Sequence, residues 1–246
     1  MTRVLLLGGT AEARALAGRL HPRIDVISSL AGRVPDPAVP VGPLRMGGFG
    51  GVSGLREWLV EKGITAVVDA THPFAAGITA NAAAACAELR IPHVILHRPP
   101  WDPAGTLDVE SDRVAADAVA AQGYSRVFLT TGRSGVAAFR ASSAWLLIRV
   151  VTAPDSADLP HRHELVFSRG PYRYPDERAL MLRHGIQVLV TKNSGGAMTA
   201  AKIQAAADLG IDIVMIRRPA LPSGVRVVGT VDDAQNWVLS RGTAEV

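Results

Sequence analysis

Two short stretches carry most of the side chains able to do chemistry. Thr71-His72-Pro73-Phe74 and Thr191-Lys192-Asn193-Ser194-Gly195-Gly196 each follow an apolar, β-branched run and precede a helical pattern. They hold the same place in two copies of one unit: Thr71 to Pro99 laid over Thr191 to Pro219, a shift of 120, gives ten identities in 29 positions without a gap, only three of them alanines. His72 is the first acid–base candidate, because imidazole changes charge near neutral pH; a His-Pro step before a helix also serves simply to orient a turn. At the second tip Lys192, near the start of a helix, opposes the helix dipole, and a bound carboxylate or phosphate supplies a reason for it. Ser194, and Lys202 about two turns into that helix, extend the same anion-binding set.

Other candidates are phosphate-shaped. Gly8-Gly9-Thr10 joins the first strand to a helix beginning at Ala11, so backbone N–H groups and the positive end of the helix are expected to face a phosphate. The full Gly-x-Gly-x-x-Gly fingerprint is absent, since Thr10 and Ala13 occupy its later glycine positions. The second strand ends in Ser28-Ser29-Leu30-Ala31-Gly32-Arg33, without the acid that grips a free ribose 2′-hydroxyl. Hydroxyls with Arg33 suit a 2′-phosphate instead, which favours NADP over NAD. Gly47-Gly48-Phe49-Gly50-Gly51 has four glycines in five residues, costly to order unless backbone approaches a ligand. Ser53 is expected to cap the helix that follows, leaving Phe49 to lie on a flat ring. Thr130-Thr131-Gly132-Arg133-Ser134 matches Gly8 to Thr10 in position, and Arg133 makes it an anion site of another kind. His161-Arg162-His163 lacks a third metal ligand at suitable spacing and is expected in a solvated loop.

The elements that must position these residues alternate. Apolar runs at 4–7, 25–29, 66–70, 93–97 and 107–110, then at 127–130, 145–151, 165–168, 188–191, 213–216 and 225–228, are separated by helical patterns. Strands of continuous hydrophobicity between helices predict parallel sheets covered on both faces. The expected fold is α/β: two Rossmann-like lobes, residues 1–123 and 124–246, related by the internal repeat, with a ligand cleft between the carboxyl ends of their strands.

Composition narrows the function classes. The chain has 246 residues, 48% hydrophobic and 20% charged, enough for a large core. Its only cysteine, Cys86, has no disulfide or metal-binding partner and suits a reducing cytoplasm. Met1 leads into a core strand without a charged-then-apolar leader, and no apolar run is long enough to span a bilayer, so no membrane association is expected. The net charge is +4, but the 26 basic residues, of which only Lys62, Lys192 and Lys202 are lysines, are scattered without a basic run. That argues against nucleic acid and for small anionic ligands.

Taken together, residues 7–14 (Leu-Gly-Gly-Thr-Ala-Glu-Ala-Arg), 29–33 (Ser-Leu-Ala-Gly-Arg), 47–51, 69–75 (Asp-Ala-Thr-His-Pro-Phe-Ala), 98–101 (Arg-Pro-Pro-Trp), 130–133 and 191–196 with Lys202 resemble the precorrin-6A and cobalt-precorrin-6A reductase family of cobalamin biosynthesis over nearly the whole chain. Where the family pattern has Gly-Pro-Phe, this chain has Gly170-Pro171-Tyr172. The resemblance implies NADPH-dependent delivery of hydride to ring carbon 19 of a macrocyclic tetrapyrrole, giving the dihydro product. It implies two Rossmann-like lobes, with Gly8, Gly9, Thr10, Ser29, Gly32, Arg33, Gly48 and Thr71 on the cofactor. The acetate and propionate carboxylates of precorrin-6A then face Arg133, Lys192, Ser194, Lys202 and either Arg98 or Arg218, with no metal required. If a side chain donates the accompanying proton, His72 is the first choice, with Asp155 or solvent as alternatives. Transient contact with neighbouring pathway enzymes fits this reading. Two rival classes share the expected cleft: a nucleotide or anion sensor without redox activity, and a nucleotide-dependent transferase, for which no acidic metal-binding pair is present. Consumption of NADPH in the presence of substrate separates them.

Overall fold

The computed structural model describes residues 2–32 and 37–242. Twelve strands and seven α-helices alternate among these residues. The strands are β1 (Arg3–Leu7), β2 (Asp25–Leu30), β3 (Leu44–Met46), β4 (Ala66–Asp69), β5 (His93–Leu96), β6 (Leu107–Val109), β7 (Arg126–Leu129), β8 (Trp145–Val150), β9 (His163–Phe167), β10 (Val188–Lys192), β11 (Asp212–Ile216) and β12 (Arg226–Val228). The helices are α1 (Ala11–Leu20), α2 (Gly51–Glu61), α3 (Ala76–Leu89), α4 (Asp112–Ala121), α5 (Tyr174–Arg183), α6 (Ala201–Asp208) and α7 (Val231–Gly242). Every strand pairing is parallel, in two sheets of order β3-β2-β1-β4-β5-β12 and β9-β8-β7-β10-β11-β6. Both orders reverse direction beside the first strand of the lobe, at β1/β4 and β7/β10, which is where such sheets open a crevice for ligands.

The continuous hydrophobicity of the strands follows from cover on both faces. Val4 and Leu6 of β1 point into a core with Leu16 and Leu20 of α1 and Trp237 and Val238 of α7. Their neighbours Leu5 and Leu7 point into a second core with Leu55 and Leu59 of α2 and Cys86 of α3. Burial, with the charge of Asp69 nearby, pushes the Cys86 thiol up to about 12, so it is a packing residue and not a nucleophile at neutral pH.

The division of the chain differs from the expected boundary at 123/124. One compact unit runs to Pro99 and resumes at Pro219; the other is Pro100–Arg218. β6 therefore lies beside β11 in the second sheet, and β12 beside β5 in the first. The crossings fall at Arg98-Pro99 and Arg218-Pro219, the last matched pair of the repeat, where a residue before proline is held extended. Because the two copies are alike, exchanging their last strand and helix leaves each sheet with six strands and the same order.

Four local features also depart from expectation. β3 is a short edge strand that the hydrophobic pattern does not reveal. A 3-10 helix, Arg133–Phe139, follows β7 where the sequence pattern predicts no helix. α2 begins at Gly51, after Gly50 in the left-handed region (φ 80°), so Ser53 lies inside the helix and caps nothing. His163 begins β9 and its Nδ1 lies 2.7 Å from the Pro160 carbonyl oxygen, so this histidine belongs to a sheet edge and not to a loop.

Candidate functional site

In the first unit, the residues read as cofactor-binding gather at the carboxyl ends of β1, β2, β3 and β4. Gly9 (φ 111°) makes the turn into α1. Thr10 caps the helix: its hydroxyl accepts from the Ala13 N–H at 3.1 Å and donates to the Ala70 carbonyl at 2.7 Å. Among the described residues the N–H groups of Thr10, Ala11 and Glu12 have no acceptor, which is the arrangement an anion needs. Gly8 plays a different part from the one expected. Its N–H is bonded to the Ser29 carbonyl at 2.9 Å, and an added Cβ would lie 3.4 Å from both Ala13 Cβ and Leu30 Cδ2, so it allows helix and strand to approach closely. Thr10, Glu12, Thr71, Pro73, Leu96 and Arg98 line a shallow, open depression over this turn. Glu12 would repel a phosphate there, but Arg98 pairs with it at 2.9 Å, so Arg98 is engaged within its own lobe.

Beside the turn, Gly32 (φ 72°) lies two residues beyond β2 and approaches the Gly47 amide. Arg33 lies outside the described residues. Pattern reading missed Arg45, paired in register with Ser29 across β2 and β3. Its guanidinium donates to the carbonyls of Gly47 and Gly48 at 2.5 and 2.7 Å, reaches Ser29 Oγ at 3.5 Å and covers the Phe49 ring at 3.7 Å. Phe49 also meets Trp58 edge-on at 5.4 Å. The ring is thus an internal anchor of the glycine loop, with one face taken by Arg45, and not the open platform expected.

Asp69, 1% exposed, locks the first tip. One carboxylate oxygen accepts from the Thr71 N–H at 3.0 Å and the Thr71 hydroxyl at 2.6 Å; the other accepts from Thr79 Oγ1 at 2.6 Å. Thr71 retains an acceptor lone pair for a ligand, while its proton is committed. His72 is exposed, and its Nδ1 accepts from the Phe74 N–H at 3.3 Å. That contact orients the turn and leaves Nε2 as the proton-bearing nitrogen of the neutral ring.

In the second unit, Arg133 is exposed, with no ion pair among the described residues. Lys192 closes β10 well before α6, so the helix-dipole argument for it does not hold; its ammonium donates to the Thr131 carbonyl at 3.0 Å and lies 3.4 Å from Asp112. Asn193, 7% exposed, grips Trp101 with both ends of its amide, accepting from the Trp101 N–H at 2.8 Å and donating to its carbonyl at 3.0 Å. Trp101 Nε1 donates to Gly196 O at 3.0 Å, and Arg218 donates to the carbonyls of Asn193 and Ser194 at 2.8 and 3.0 Å. Arg218 is therefore a clamp on the tip. Lys202 is 5% exposed, so it is not a surface cation at the tip.

Among the described residues no three His, Cys, Asp or Glu side chains cluster to hold a metal, and no helix is long and apolar enough to cross a membrane. Residues 3–239 match a family described as precorrin-6x reductase CbiJ/CobK. The chain belongs to that family. Precorrin-6A reductase of Mycobacterium tuberculosis is 66% identical over 97% of this chain and 98% of its own length, and that of Rhodococcus erythropolis is 51% identical over 97% and 98%. A solved CobK precorrin-6A reductase superposes with a TM-score of 0.90 at 38% identity, covering 98% of both chains. As a CbiJ/CobK reductase the chain is an oxidoreductase of cobalamin biosynthesis, and its paired parallel α/β sheets are the family fold.

Proposed function

We propose that this protein reduces the precorrin-6A macrocycle with hydride from NADPH. The observation that carries the cofactor half is the turn into α1, where three acceptor-less N–H groups meet a helix N-terminus beside a β2 end that has Ser29 and no acid. These residues fit a dinucleotide: the Thr10–Glu12 amides would hold the pyrophosphate, Gly9 and Gly48 add no side chain to obstruct it, and Ser29, Gly32 and Arg33 would face the adenosine ribose. NADPH, when bound, supplies the hydride. The chain binds and orients. Asp69 keeps the Thr71 tip fixed, Arg45 fixes the glycine loop, and Arg133 and the 192–196 loop offer cationic and backbone groups to the carboxylates of the macrocycle. The substrate half rests on relatives named precorrin-6A reductase. The soluble composition and reduced, buried Cys86 support a cytoplasmic setting, where product passes to neighbouring enzymes of the route.

Titration with NADPH and NADH, followed by tryptophan quenching, tests the cofactor. NADPH is expected to bind preferentially, and Arg33→Ala to weaken it by roughly 10- to 100-fold, the loss of a charge-assisted phosphate contact of about 1.5–3 kcal/mol. Binding of neither nucleotide overturns the assignment. For the proton, His72→Ala is expected to leave NADPH affinity unchanged and slow turnover by roughly 10²-fold or more; unchanged turnover removes His72 from the mechanism and leaves its Nδ1 contact as a turn support.

A further inference from the structure

The depression over the turn into α1 has a lining that a phosphate does not explain. Its side chains, Thr10, Glu12, Thr71, Pro73, Leu96 and Arg98, come from the carboxyl ends of β1, β4 and β5, on the side of the turn away from β2 and β3. The hydrogen-bonding groups there are mostly acceptors. The Thr10 hydroxyl gives its proton to the Ala70 carbonyl, and the Thr71 hydroxyl gives its proton to Asp69. Pro73 has no N–H. Glu12 brings a carboxylate: one oxygen accepts from Arg98 at 2.9 Å, and the other has no partner among the described residues. Arg98, the one cation of this lining, is already engaged with that acid. A ligand group seated here meets acceptors and must bring donors.

Glu12 is the residue that calls for an explanation. It is the second residue of α1, next to the N–H groups placed to hold a pyrophosphate, and its charge opposes that ligand. An acid in a first turn does favour the helix. That gain does not require an arginine 86 positions away to be held against it with a side chain only 16% exposed. The course of a dinucleotide supplies the missing reason. With the adenosine ribose beyond β2 and the pyrophosphate over α1, the remaining half crosses the crevice toward β4 and β5. The first group it brings is the nicotinamide ribose, whose two free hydroxyls are donors.

We infer that Glu12 grips the hydroxyls of the nicotinamide ribose, with Thr71 as a second acceptor, while Arg98 holds the carboxylate in place and offsets its charge toward the pyrophosphate. The inference rests on the dinucleotide reading of this turn. Carboxylate-to-hydroxyl bonding is how an acid at the end of a second strand grips the other ribose in NAD-binding sheets. Here residues 28–33 contain no acid, and an acid stands on the opposite side of the turn. The 2′-phosphate alters only the adenosine ribose, so Glu12 serves NADPH and NADH alike and leaves the choice between them to Arg33. Fixing the nicotinamide ribose also fixes the ring attached to it, and with it the position from which hydride departs.

The test compares the whole cofactor with its adenosine half, in the full chain carrying Glu12→Ala or Glu12→Gln. The half is adenosine 2′,5′-bisphosphate, which has the 2′-phosphate but no nicotinamide riboside. Calorimetric titration of Glu12→Ala is expected to show NADPH weakened by roughly tenfold or more, the loss of a charge-assisted hydrogen bond. Adenosine 2′,5′-bisphosphate is expected to bind as tightly as to the parent, or slightly more tightly, because a negative charge beside its phosphate is gone. Glu12→Gln keeps one acceptor oxygen and should fall between the parent and Glu12→Ala for NADPH. Equal weakening of NADPH and of the half would make Glu12 a support of the turn and overturn the inference, as would unchanged NADPH affinity in Glu12→Ala; both leave the cofactor reading standing. If the parent binds neither molecule, the cofactor reading itself fails and the inference falls with it.

Discussion

Glu177→Ala is expected to cost about 3–5 kcal/mol of stability, because it leaves a buried charge without its partner. Among the described residues Glu177 is the only carboxylate paired with Arg149, and both lie at or below 7% exposure. Without it the guanidinium, packed 4.7 Å from the Phe128 ring centroid, would share the interior with the Lys202 ammonium. Chemical denaturation checks this through the midpoint. The double variant Glu177→Ala with Lys202→Met should recover part of the loss in buffer below about pH 7, where Lys202 carries charge and its removal takes away one of two repelling cations, and neighbours of this kind couple. A single variant within about 0.5 kcal/mol of the parent would mean that the pair contributes nothing net, and the electrostatic account of this cluster would have to be abandoned.

Gly54→Ala should disturb the other lobe and its ligand together. Gly54 lies in the first turns of α2, and a Cβ there would overlap the carbonyl oxygen of Phe49. Backbone cannot swing aside as a flexible side chain does, so the 47–51 loop must move, taking with it the Gly47 and Gly48 carbonyls that hold Arg45. Overpacking of this kind costs about 1–3 kcal/mol, and NADPH affinity is expected to fall at least tenfold. Gly48→Ala is the contrasting case: nothing lies within 4 Å of an added Cβ and the backbone is not left-handed. It should keep full stability, and weaker NADPH binding in it would place ligand against that open side. If Gly54→Ala binds NADPH like the parent, the loop is not part of the cofactor site.

How much of this was legible in the sequence depended on how local the cause was. β1 and β10 are buried on both faces, so their unbroken apolar runs announced a parallel sheet. The turn at Gly9-Thr10 was legible because a strand, a glycine and a capping threonine are neighbours in the chain. β3 was not, since three residues at a sheet edge carry no period. Nor was the exchange of β6 and β12: the repeat makes either strand an equally good neighbour for β5, and only the course of the chain after Pro99 decides between them. The repeat itself pointed to the place, in the matched Arg98-Pro99 and Arg218-Pro219 pairs. Side chains whose roles come from distant partners were read least well. Lys192 was assigned to a helix start that lies nine residues further on, and pairs instead with Asp112, 80 positions earlier. Lys202 falls on the inward face of α6, which an alanine-rich helix does not distinguish from the outward one. Arg45 and Asp69 carry signals visible only in retrospect, a cation before a glycine loop and an acid two residues before a threonine tip.

The central claim is that this CbiJ/CobK family member takes its reducing equivalents from NADPH and gives them to precorrin-6A. Loss of reduced-nicotinamide absorbance, recorded anaerobically with purified protein and NADPH before and after addition of precorrin-6A, tests it most directly. The account predicts no consumption without the macrocycle and one NADPH oxidised per macrocycle reduced once it is added, with NADH far less effective. Binding of NADPH without any substrate-dependent oxidation would contradict it and leave a nucleotide-binding protein without redox activity.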